Sequence, residues 1–181
     1  MIEELERPLI GIDLGASYTK IGYRKAGTNS NEFDKNTGIV SIEGDFMIPS
    51  MAVQIAKKSG AWLFGREAAE YVPVGKDKIY TNWKKGLFSS SFDSKVAECV
   101  SAADHFFAWL RERLLAEGID ASTCNARVCM PAFSEIARPA KILAEAMARN
   151  GWSGPRISHA SEPNANSIGI FTEGRNRLWK K

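Results

Sequence analysis

An α/β layered core with one insertion is the fold class this sequence predicts, and three observations predict it. An apolar strand, a glycine turn and a second strand open the chain over Ile10–Arg24. One long amphipathic pattern runs over Ser94–Glu117. Strand and helix patterns then alternate over the last third, as they do where helices cover a sheet.

The first stretch organises the rest. Leu9, Ile10 and Ile12 form an apolar run suited to a buried strand, and Asp13 stands at its tip. Gly15 fits a turn that a Cβ resists, Ser17 and Thr19 are small and hydroxylated, and Tyr18, Ile21 and Tyr23 resume strand chemistry. Backbone N–H groups bared in such a turn can cradle phosphate oxygens. A nearby carboxylate can hold a hydrated magnesium ion. An ordinary β-hairpin with an aspartate in its turn fits the segment equally well.

Ile39–Ile42 reads as a third strand, after turn residues at Asn29–Asn31. Pro49 predicts irregular backbone around Phe46–Ser50. Met51–Ile55 and Trp62–Phe64 read as a hairpin about the polar turn Lys57–Gly60, and Arg66–Tyr71 as a short helix. Trp83 stands beside Lys84, Lys85 and Gly86; lysines are by default surface residues. In the long helix Val96, Val100, Ala103, Phe106, Phe107, Leu110 and Leu114 recur at three- and four-residue steps, a core stripe closed by Gly118. Ala126–Met130 is a strand and Ser134–Asn150 a helix, in which Pro139 demands either a later start or a kink. Arg156–His159 is a last strand, and Ser161-Glu162-Pro163 opens a further helix. Glu162 thereby belongs to the loops at the end of the sheet that carries Asp13, where ligands collect on such sheets.

Composition bounds the function. The 181 residues suffice for one domain or two small lobes, 44% apolar and 25% charged content is ordinary for a globular chain, and a net charge of +3 gives no footprint for nucleic acid. No apolar run spans a bilayer, and the acidic start Met1–Glu6 lacks the order of a secretory signal. Cys99, Cys124 and Cys129 have no paired spacing and read as reduced thiols of a cytoplasmic protein. His105 and His159 are isolated, which argues against a histidine metal site.

Five segments in one order, from about Leu9 to Phe171, resemble a known family. Gly11-Ile-Asp-Leu-Gly15 resembles the first phosphate motif of the actin, sugar-kinase and heat-shock chaperone superfamily. Ile48-Pro-Ser50 with Trp62-Leu-Phe-Gly65, Trp83-Lys-Lys-Gly-Leu87, Met130-Pro-Ala-Phe133 and Ser161-Glu-Pro163 resemble successive segments of the seventy-kilodalton (DnaK-type) chaperones. The fold implied is a ribonuclease H-like lobe of an actin-type ATPase. It has three antiparallel strands, then β-α-β-α, with a core at 1–41 and 120–171, an inserted α+β subdomain at 42–119 and a basic tail at 172–181.

The resemblance implies roles as well. The cofactors would be ATP and magnesium, with Asp13 and Glu162 holding the metal through water. The backbone of Gly15, Ala16, Ser17 and Tyr18 would contact the phosphates. Lys84 would approach the γ-phosphate and orient the attacking water. Pro131 and Arg138 would sit where the family relays nucleotide state. The implied partners are the nucleotide, a second ATPase lobe, and a co-chaperone or client polypeptide. Nucleic acid and membrane are excluded from that set. Phosphoryl transfer asks a protein mainly for positioning and cationic charge, which agrees with this set.

Departures are specific. Ala16 stands where the family usually has threonine, and Pro139 is unusual in its helix. The second phosphate motif, the adenosine segment and the peptide-binding domain are absent, so the chain reads as an excised first lobe or a natural half-protein. Such a lobe would hydrolyse little ATP alone. Two other readings keep the fold: an interaction module with lapsed nucleotide chemistry, and an actin-like filament protein or sugar kinase.

Overall fold

In the computed structural model, residues 7–27, 37–58, 60–87, 94–129, 137–153 and 156–158 are described. The main sheet is ordered β3 (Thr37–Val40), β2 (Tyr18–Arg24), β1 (Leu9–Leu14), β8 (Asn125–Cys129), β9 (Arg156–Ser158), with β4 (Ile48–Pro49) on β2. Strand β1 (Leu9–Leu14) pairs antiparallel with β2 (Tyr18–Arg24), which pairs antiparallel with β3 (Thr37–Val40). On its other side β1 runs parallel to β8 (Asn125–Cys129), and β8 parallel to β9 (Arg156–Ser158). The register sets Asp13 beside Cys129 and Cys129 beside Ser158, so the three strands end in one row.

Alternation decides which face is covered. Ile10, Ile12 and Leu14 of β1, Ile21 of β2, and Ala126 and Val128 of β8 are all buried. Their neighbours Leu9, Gly11 and Asp13 lie on the other face and are only half-buried. The covered face meets α3 (Ser94–Ala116) and α4 (Ala137–Arg149) in one hydrophobic cluster that includes Phe106, Phe107, Leu110, Leu143 and Met147. Each such side chain taken fully from water contributes roughly 1.5–3 kcal/mol.

A second sheet, ordered β6-β5-β7, holds β5 (Ala52–Ile55), β6 (Ala61–Phe64) and β7 (Lys78–Tyr80). A short helix α1 (Gly65–Glu70) follows β6, and the single turn α2 (Trp83–Gly86) follows β7. The hydrophobic cluster is continuous across these pieces. Trp83 and Phe64, at 5.4 and 5.6 Å between ring centroids, flank Phe106 of α3.

Several local expectations shift. The third strand starts and ends earlier than Ile39–Ile42, because Glu43 and Gly44, both at positive φ, close a turn that bridges Ile42 to Asp45. Pro49 does not break pairing: with Ile48 it forms the two-residue strand β4 (Ile48–Pro49) against Tyr18 and Thr19, on an edge where a missing N–H is tolerated. Strand β7 has no counterpart in the sequence reading. Helix α4 is described over Ala137–Arg149 with Pro139 as the third residue of that span, and the expected start at Ser134 lies outside the described residues. The segments around Pro131 and Glu162, the helix expected after Ser161 and the tail at 172–181 lie outside the described residues. No helix among the described residues is long and apolar enough to cross a membrane.

Candidate functional site

The turn between β1 and β2 is built around a close approach. A Cβ placed on Gly15 would stand 2.6 Å from the backbone oxygen of Tyr18. Glycine is therefore required here by space, not by a left-handed backbone, since Gly15 is not among the residues at positive φ. Ala16, Ser17 and Tyr18 are exposed, whereas Thr19 is fully buried.

Lys84 reaches this turn from 69 residues away. Helix α2 turns it inward. Asn82 caps that helix by accepting the Lys85 N–H at 3.3 Å, and Trp83 is packed into the aromatic cluster. Gly86 lets α2 press on α3, for a Cβ there would overlap the Cys99 sulfur. The lysine is then only 5% exposed, against the surface default for its type. Its ammonium donates to the Gly15 carbonyl, to Thr19 Oγ1 at 3.1 Å and to Ser50 Oγ at 2.6 Å. It also lies 5.8 Å from the centre of the Trp83 ring. Burial pushes the Lys84 pKa down to about 7, and the charge of Asp13 partly opposes that fall.

Ser50 completes the arrangement. Its hydroxyl donates to the Gly15 carbonyl at 3.0 Å, and its backbone N–H donates to the Ser17 carbonyl at 2.8 Å. A trans peptide sets N–H and C=O antiparallel. With the carbonyls of Gly15 and Ser17 turned to Ser50, the N–H groups of Ala16 and Tyr18 face away from it.

Asp13 approaches from the opposite face of the sheet. Its side chain shares the face of Gly11 and stands in register with Lys20 on β2 and Cys129 on β8. An open groove of about 310 Å³ runs there past Gly11, Asp13, Lys20, Ile39, Arg127 and Cys129. The Cys129 thiol is pushed up, chiefly by burial and further by Asp13.

The structure thus brings together Lys84, Gly15 and the Gly15–Tyr18 turn, with Asp13 close enough for its charge to act on Lys84. Glu162 lies outside the described residues, while Arg138 is the second residue of α4. Thr19 and Ser50 were absent from the expected site. The signal for them was available: a lysine held inside a protein needs acceptors, and Thr19 is a hydroxyl residue of the opening stretch and Ser50 of the Ile48-Pro-Ser50 motif.

No family model and no curated protein matches the chain. Solved structures do. A non-polymerising MamK mutant bound to AMPPNP is similar over 85% of this chain and 41% of its own, with 16% identity and a TM-score of 0.52. A MamK double-helical filament is similar over 87% and 41%, with 19% identity and a TM-score of 0.51. The fold therefore resembles part of the MamK fold, and the chain spans about two fifths of the length of these structures.

Proposed function

We propose that this chain is the nucleotide-binding first lobe of an actin-type ATPase, with ATP as ligand. The observation that carries the reading is the convergence of Lys84 on the Gly15–Tyr18 turn. The chain keeps a lysine at 5% exposure, with burial working against its charge, at a turn whose amides suit phosphate. The similar MamK mutant was captured with AMPPNP, a nucleotide analogue, which supports the same ligand class.

In this reading the amides of Ala16 and Tyr18 bind phosphate oxygens, Lys84 supplies positive charge against the terminal phosphate, and Glu162 joins from the chain after β9. Hydrolysis by this stretch alone is slight, since half of the cleft lies in a second lobe. The stretch 42–119 would form the inserted subdomain beside the core. Magnesium would suit Asp13, a half-buried carboxylate just before the turn, because magnesium keeps most of its waters while taking one or two carboxylates plus phosphate oxygens. Asp13 and Glu162 would hold it through water. When bound, the ion neutralises charge on the phosphates.

Titrating Mg·ATP into the 181-residue chain while recording backbone amide shifts tests the reading. Shifts over Asp13–Tyr18 that vanish in Lys84→Ala are expected. Silent amides there at millimolar nucleotide would refute it.

The quoted motifs favour a seventy-kilodalton chaperone, whose partners are a co-chaperone or client. The likeness to a MamK filament favours an actin-like polymer. ATP-dependent sedimentation of the protein joined to a second lobe would select the filament branch, and stimulation of its ATPase by an unfolded peptide would select the chaperone.

A further inference from the structure

We infer that Ser50 is the positioning residue of the Gly15–Tyr18 turn: it holds the Gly15 carbonyl in place of Lys84 when the lysine turns to an anion. The inference rests, for its purpose, on the phosphate reading above. It starts from hydrogen-bond counting. An ammonium has three protons and no acceptor. All three are used within the protein, on Gly15, Thr19 and Ser50. A phosphate oxygen must therefore displace one of these partners.

The three partners are not equivalent. Thr19 is fully buried, and Ser50 is 3% exposed, so either hydroxyl abandoned by Lys84 would lose a charged partner in a dry setting. The Gly15 carbonyl differs because it already accepts a second hydrogen, from Ser50 Oγ. Released by Lys84, it stays satisfied. It is also the carbonyl of the turn itself, and its oxygen would repel an anion unless kept turned away. Ser50 does this at two points, through its hydroxyl on Gly15 and its N–H on Ser17. The hydroxyl is thus both acceptor for the lysine and donor to the turn, which alanine cannot copy and threonine can.

Lysine ammonium signals of the ligand-free 181-residue chain, recorded by proton–nitrogen correlation at acid pH, test this. One slowly exchanging signal, lost in Lys84→Met, is expected. In Ser50→Ala its exchange with water should quicken about tenfold, the effect of losing one charge-assisted bond, and the Ala16 and Tyr18 amides should move. Ser50→Thr should restore both. A second variant guards against general loosening: Thr19→Val should quicken the lysine exchange but leave those two amides in place. Unmoved amides in Ser50→Ala, a threonine variant that behaves like alanine, or equal amide shifts in Thr19→Val would each overturn the inference. Mg·ATP then separates the two claims. If the ligand-free signatures appear and no nucleotide binds, the proposed function fails and the Ser50 role stands. If nucleotide binds equally well to the native chain and to Ser50→Ala, the Ser50 role fails and the function stands.

Discussion

The ammonium of Lys84 donates to Thr19 Oγ1 at 3.1 Å, across 65 positions of sequence and inside the core face of the sheet. Such a lysine makes stability depend on pH in a direction opposite to the usual one for an ion-paired lysine. Its folded pKa is about 7 and its ordinary value 10.5. Between these the unfolded chain binds the extra proton and the folded chain does not, so stability rises with pH. The gap between those two values sets a ceiling of roughly 5 kcal/mol on the gain. Lys84→Met removes the effect. Urea unfolding of the two chains at several pH values should show the native chain gaining on the variant above neutrality. A constant difference would mean that Lys84 keeps its charge in the fold.

Gly15 and Gly11 lie four residues apart and should respond oppositely to alanine. At Gly15 the added carbon meets the Tyr18 oxygen at 2.6 Å, and backbone must move to admit it. At Gly11 nothing lies within 4 Å. Gly15→Ala should cost about 1–3 kcal/mol and disturb the Lys84 contact with the turn, while Gly11→Ala should stay within about 0.5 kcal/mol. Denaturant midpoints, with m-values checked for constancy, decide it. Equal costs would remove the steric argument for the turn.

How much of this was legible beforehand follows from the range of each interaction. Strands β1, β2 and β8 and helix α3 announce themselves through local periodicity, because burial on one face repeats along the chain. Strand β7, with only Ile79 between Lys78 and Tyr80, carries no such repeat; its pairing with β5 is what makes it a strand. The inward turn of Lys84 was hidden for the same reason. Nothing in Trp83-Lys84-Lys85 says which lysine is buried; that is settled by Trp83 packing on Phe106 and Gly86 closing on Cys99. Pro49 misled because its cost depends on whether its strand is central or at an edge, which is a property of the sheet.

The contact between α3 and α4 sets two polar interactions side by side, and magnitude separates them. Arg149 Nε donates to Asp104 Oδ1 at 2.9 Å, but both side chains are substantially exposed, at 52% and 35%. Water screens such a pair, and it is worth about 0–1 kcal/mol. Asn150 is different. Its side-chain amide donates to the Asp104 carbonyl at 3.0 Å and to the Ala146 carbonyl at 2.8 Å, while its backbone carbonyl accepts from Arg111 at 3.0 Å. These are part-buried, and one side chain satisfies carbonyls on both helices. Both carbonyls keep their helical donors, the Ala146 carbonyl from the Asn150 N–H at 3.2 Å, so removing the side chain loses two part-buried bonds worth about 0.5–1.5 kcal/mol each. Asn150→Ala should therefore destabilise the chain several times more than Arg149→Ala, even though the arginine carries the formal charge. Thermal melts at low and high salt provide the check: the Arg149 effect should shrink with salt, and the Asn150 effect should not. If the order is reversed, the ion pair and not the asparagine fastens α4 to α3, beside the neighbouring buried bond from Trp152 Nε1 to the Phe107 carbonyl at 3.1 Å.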